Sequence, residues 1–173
     1  KVHRVQPPPP SANMIGKMLL NEEKYADAID YLKEAEKMGD TAALQKSYKY
    51  ISQAYRALNN FPSARTYALK SAALNPHDGD PYLVIGDMYA ESAKECGDND
   101  LTSRVAYWVA VDKYYKAKQA DPALADEADK RIAAYSVYFP TASTIFFYAL
   151  KEGDTYKVEC WINEETKIRA AKQ

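Results

Sequence analysis

NMIGKMLL (13–20), KYISQAYRAL (49–58) and YLVIGDMYA (82–90) are the stretches on which the fold of this chain turns. Superposed, they bring Ile15, Ile51 and Ile85 into register, each followed by a small residue, Gly16, Ser52 and Gly86, and three positions later by Leu19, Tyr55 and Tyr89. The segments that follow align in the same way: Ala28, Ala64 and Ala110, then Leu32, Ala68 and Tyr114, then Ala35, Ser71 and Ala117, with closure at Asp40, Pro76 and Pro122. Apolar residues at helical spacing, recurring as pairs of segments, predict a stack of helical hairpins. The alternation of small and large has a packing cause. Two antiparallel helices approach closely only where one offers Gly, Ala or Ser to a bulky residue of the other, and the same stripe serves the next pair.

The units run 11–40, 41–76 and 79–122. Asp80-Pro81 and Asp121-Pro122 each place a capping carboxylate before a proline suited to a first helical turn. The first two units are offset by 36 residues. In the third, Tyr89 to Ala110 spans twenty-one positions where Leu19 to Ala28 spans nine, so an insert at about 93–104, centred on KECGDNDLTSR, separates its helices. This pattern resembles the tetratricopeptide repeat, a helix-turn-helix unit of ~34 residues. The resemblance implies an all-α, three-repeat solenoid whose first helices line a concave groove. The outward positions there are Asn13 and Lys17, then Lys49, Gln53 and Arg56, then Asp87 and Glu91. Basic residues at one end and acidic at the other suit an extended or helical peptide, so a protein or peptide partner is expected. The lysine, asparagine and arginine clamp that some family members close on chaperone tails is missing, since its positions hold Asn13, Lys17, Tyr50, Asp80 and Val84.

Before the repeats, the proline run of residues 1–10, KVHRVQPPPP, reads as a tether that excludes helix until Ser11. After them, 123–139 reads as a solvating helix, with Leu124, Ala128, Ile132, Tyr135 and Phe139 inward and Asp126, Asp129 and Lys130 outward. Residues 140–173 read as a short helix capped by Thr141, a turn at KEGD and a β-hairpin cap. In that hairpin Tyr156, Val158, Cys160 and Ile162 share one face, Lys157, Glu159 and Trp161 the other, NEET makes the turn, and Ile168 and Ala170 return inward while Lys167 and Arg169 point out. Trp161 is expected on the TIFFYAL helix and Trp108 under the insert. Residues of roughly 85–170, including AKECGDND and YFPTASTIFFYALKEGDTYKVECWINEETKIR, are similar to the C-terminal half of a family of bacterial tetratricopeptide proteins placed in the cell envelope. That likeness implies a periplasmic or outer-membrane-associated location, with the cytoplasm as the alternative. It also favours a disulfide between Cys96 and Cys160 over two free thiols, because a single pair in an exported chain is usually joined.

Composition narrows the function classes. With 47% apolar residues in 173, the chain can bury a continuous core. A net charge of -1 and a pI near 6.2 argue against nucleic acid. No window approaches the ~20 apolar residues of a membrane span. Chain start at Lys1 reads as a boundary or a processed leader, so a lipid anchor upstream stays open. His3 and His77 are the only imidazoles and lie near no nucleophile in sequence, and no glycine-rich phosphate loop is present. GDND and HDGD lack the closing glutamate of a calcium loop and read as turns. The expectation is a non-enzymatic interaction module without cofactor or metal. A structural subunit of a larger envelope assembly or homo-oligomer is the alternative, and a glycan-binding surface protein, which requires Trp108 or Trp161 exposed, is the weaker one.

Overall fold

Residues 9–172 are described by a computed structural model. Among the described residues the chain is mostly helical, with eight α-helices and one antiparallel hairpin. They form two units divided between residues 76 and 77, so the third helical pair folds with the C-terminal half.

In the first unit, α1 (Pro9–Asn21) pairs with α2 (Tyr25–Ala35), and α3 (Thr41–Ala57) with α4 (Phe61–Leu74). Helix α1 starts at Pro9, two residues before the expected Ser11. The first N–H groups of a helix have no intrahelical acceptor, so prolines lose nothing there. The rest of the expected tether, with His3, lies outside the described residues. Asp40 accepts from the Ala43 amide at 2.7 Å to cap α3, and Asn60 accepts from Ser63 at 3.3 Å to cap α4. The 36-residue offset reappears in the turns. Glu23 and Asn59 both adopt left-handed backbone, at φ 59° and 60°. The Lys24 amide donates to Leu19 O at 2.9 Å, as Asn60 does to Tyr55 O at 2.8 Å, closing the same helix stop twice. Gly16 faces Leu32 so closely that any Cβ would overlap it, while Ser52 donates to Ala64 O at 2.7 Å. Ile29, Leu32, Ile51 and Ala54 form the core between the pairs.

The second unit contains α5 (Asp80–Ser92), α6 (Ala106–Ala120), α7 (Ala125–Ser136), α8 (Ala142–Phe147), β1 (Thr155–Val158) and β2 (Glu164–Lys167). The small-to-large contact recurs: a Cβ on Gly86 would lie 2.5 Å from the Tyr114 ring. The insert between α5 and α6 buries Leu101 and Val105, and Asn99 Oδ1 accepts from the Leu101 and Thr102 amides at 2.9 and 2.7 Å. Helix α7 buries Ala128, half-buries Ile132 and Tyr135 and leaves Asp126, Asp129 and Lys130 exposed; it ends at Ser136, so the buried Phe139, expected on its inner face, lies beyond it. Thr141 caps α8 by accepting from the Thr144 amide at 3.1 Å.

The hairpin differs from its expected register. Thr155 pairs with Lys167 and Val158 with Glu164, so EETK is the return strand and residues 159–163 are the turn. Cys160 and Asn163 take left-handed backbone there, at φ 65° and 48°. The cause is tertiary. Cys160 is joined to Cys96, 64 residues earlier, with Cα atoms 5.5 Å apart. Trp161 stands edge-on to Tyr89 at 5.2 Å and donates to Ser92 Oγ at 3.0 Å, so it packs on α5 and not on α8. The inward face carries polar groups because α5 and α6 supply partners. Glu164 accepts from the Tyr89 hydroxyl and pairs with Lys113 at 3.0 Å, and Thr166 donates to Asp112. Arg169, expected outside, pairs with Asp112 at 2.9 Å and lies over Phe139. Trp108 is fully buried under the hairpin, edge-on to Tyr156, exchanging hydrogen bonds with Arg169: its indole N–H donates to the Arg169 carbonyl at 2.8 Å and its own carbonyl accepts from the guanidinium at 2.9 Å.

Candidate functional site

The residues expected to line one groove divide between the two units: Asn13, Lys17, Lys49, Gln53 and Arg56 in the first, Asp87 and Glu91 in the second. Asn13 is buried. Its amide donates to Ala43 O at 3.2 Å and its carbonyl accepts from Ser47 Oγ at 2.6 Å, so it clips α1 to α3. Lys17 and Gln53 are exposed, and Lys49 and Arg56 are half-buried. Asp87 is engaged as well, accepting from the Tyr114 hydroxyl at 2.7 Å and from Arg131 Nε at 3.0 Å. Glu91 is exposed.

What does open at the first unit's surface is a cleft of about 460 Å³ between α1 and α3. Asn13 and Ala43 form part of its wall, Met14 and Tyr50 supply apolar surface, and Lys17, Lys46 and Asp40 supply charge. Asp40 already accepts the Ala43 amide, whereas neither lysine ammonium has a partner among the described residues. Lys46 and Met14 were missing from the sequence-based set. Lys46 sits three residues before Lys49, so extending the outward stripe of α3 by one turn would have found it. Two unpaired ammonium groups beside an apolar wall can take an anionic group attached to an apolar chain.

Elsewhere in this unit lies a cluster of lysines and tyrosines. Lys33 donates to the Tyr55 hydroxyl at 2.6 Å, Lys70 sits 4.7 Å from the Tyr67 ring centre, and Tyr67 stacks on Tyr55 at 5.7 Å. Tyr48 donates to Glu36 at 2.6 Å, and this bond, with burial, pushes its pKa up to about 12. In the second unit burial, then the bond to Asp87, pushes Tyr114 up as well. A tyrosine raised above its unfolded value of about 10 holds its proton more tightly in the fold. Its stabilisation is therefore complete below about pH 10 and lost as pH rises through the folded value. The urea midpoint is expected to fall on raising the pH from about 9.5 to 12, and to fall less in Tyr48→Phe and Tyr114→Phe. A midpoint that stays level across that window would contradict both assignments.

No family model matches the chain, and no curated protein matches it. The second unit's surface depression, about 550 Å³ beside the hairpin, is lined by Asp112, Thr155, Thr166, Lys167 and Arg169 among others. These groups satisfy one another: Arg169 pairs with Asp112, Thr166 donates to Asp112, and Lys167 donates to Thr155 at 2.7 Å. The two tryptophans on which a sugar ring could stack are both engaged, Trp108 buried and Trp161 half-buried with its N–H bonded to Ser92. The α1–α3 cleft thus offers, among the described residues, two lysine ammonium groups without an internal partner beside apolar surface.

Proposed function

We propose that the chain is a non-enzymatic interaction module of tetratricopeptide type, and that its α1–α3 cleft holds an acidic segment of a partner protein. The observation that carries this reading is the pair of ammonium groups of Lys17 and Lys46, without a partner among the described residues, flanking the apolar surface of Met14 and Tyr50. The repeat assignment draws support from the twin helix stops at Glu23 and Asn59 and from the Gly16–Leu32 and Gly86–Tyr114 contacts. An oxidising compartment such as the cell envelope is supported by the joined cysteines. No helix among the described residues is long and apolar enough to cross a membrane.

The test is fluorescence anisotropy with labelled peptides that alternate acidic and aliphatic residues, against copies in which Asp and Glu become Asn and Gln. The acidic set is expected to bind, and Lys17→Glu with Lys46→Glu to weaken it by about tenfold or more, with the circular dichroism unchanged. Equal binding by the double variant, or by the amide peptides, would refute the reading.

A further inference from the structure

A second surface feature lies in the other unit. From Ile132 to Leu150 the sequence IAAYSVYFPTASTIFFYAL runs nineteen residues without a charged side chain, in a chain where 27% of residues are charged. Burial does not account for it. Of the eleven large hydrophobic residues exposed among the described residues, five fall in this run: Val137, Tyr138, Phe146, Phe147 and Tyr148. Phe146 and Phe147 are 85% and 79% exposed, unusual for a residue type ordinarily found inside.

Their exposure is held by structure. Helix α8 is capped at one end by Thr141 and stopped at the other by Ala149, at φ 56°, with the Leu150 amide donating to Ile145 O at 3.0 Å. Ile145, buried, anchors the helix, and Tyr148 meets Phe147 edge-on at 5.1 Å. Two phenyl rings, both largely in water, therefore project from a short element fixed at both ends. Lys130 and Lys151 stand at the ends of the uncharged run, both exposed and both without a partner among the described residues. The nearby Glu127, Asp129 and Glu152 are occupied by Arg131, Lys118 and the Ala170 amide.

We propose that Phe146 and Phe147 form an interfacial membrane anchor that enters the headgroup region of an anionic bilayer, with Lys130 and Lys151 on lipid phosphates. Area favours a bilayer over a second copy. At about 150–250 Å² per aromatic side chain the five expose on the order of 500–700 Å² together, short of the ~800 Å² each partner gives to a stable dimer. A projecting pair of rings needs a pocket in a protein partner but none in a deformable lipid surface. Uncharged, aromatic segments edged by lysine match the boundary where rings rest among headgroups and ammonium groups meet phosphate.

The test is flotation of the whole chain with vesicles of phosphatidylcholine alone and of phosphatidylcholine containing about a quarter phosphatidylglycerol. Association is expected with the mixed vesicles and less with the neutral ones. Phe146→Ser with Phe147→Ser should lower the partition coefficient by about tenfold or more, at unchanged circular dichroism since both rings are already in water. Lys130→Gln with Lys151→Gln should remove the preference for anionic lipid. No flotation of the wild type, or equal flotation of the serine variant, would overturn the anchor. So would a concentration-dependent mass in lipid-free solution that the serine variant abolishes, which would assign the rings to self-association.

Discussion

Replacing Trp108 with alanine is expected to cost about 3–5 kcal/mol, the range for truncating a fully buried large aromatic. The residue has no exposed surface, and its neighbours come from elements distant in sequence: Tyr156 of β1 against the ring, and Arg169 through two hydrogen bonds. Truncation opens a cavity under the hairpin and leaves the Arg169 carbonyl without its indole donor. A domain stable by about 5–15 kcal/mol loses a large share of that. The cheaper variant separates the two causes. Trp108→Phe keeps most of the volume but removes the N–H, so its cost should stay near 1–3 kcal/mol, the penalty of an orphaned buried acceptor. Urea unfolding of the second unit measures both, and a loss under 1 kcal/mol for the alanine variant would mean that the hairpin is held without Trp108.

The second large effect concerns the cystine. Cys96→Ser with Cys160→Ser is expected to lower stability by about 4 kcal/mol, because opening a loop of this length restores conformational freedom to the unfolded chain. The folded state should change little, since Trp161, Glu164, Thr166 and Arg169 keep the hairpin on α5 and α6 without the covalent link. The near-ultraviolet spectrum should therefore persist while the urea midpoint drops. Reductant should reproduce the drop in the wild type and do nothing to the double variant. Loss of the native spectrum in the double variant, before any denaturant, would show that the bond positions the hairpin and does more than restrict the unfolded state.

The helical part of this molecule was legible because its signals are local. Gly16 with Leu32, Gly86 with Tyr114, the Thr141 cap and the insert around Cys96 follow from spacing within one helical pair, where side-chain direction and sequence distance are coupled. The hairpin was not legible, because its turn is set by residues far away. Alternation placed Cys160 and Ile162 in a strand and NEET in the turn. Trp161 finds its partner at Ser92, 69 residues earlier, and Glu164 and Thr166 face inward only because Tyr89, Lys113 and Asp112 await them. Two members of the expected groove set are engaged by partners distant in sequence. Asn13 and Asp87 look like surface residues on a helical projection, but their partners, Ser47 and Arg131, lie 34 and 44 residues away. Lys46, in contrast, was within reach of the pattern and lay one turn beyond the stripe.

The bond between Cys96 and Cys160 has a mechanical side. It encloses α6, α7, α8 and β1 in one covalent ring of the chain. A force applied at the two ends of the second unit can draw out only the segments before residue 96 and after residue 160. The chain between them, a separation of 64 residues, remains shielded from tension even after every helix has melted, shortening the reachable extension by roughly 220 Å at about 3.4 Å per residue. For a protein strung between two attachments, this half of the chain is a stop in the line that only a reductant removes.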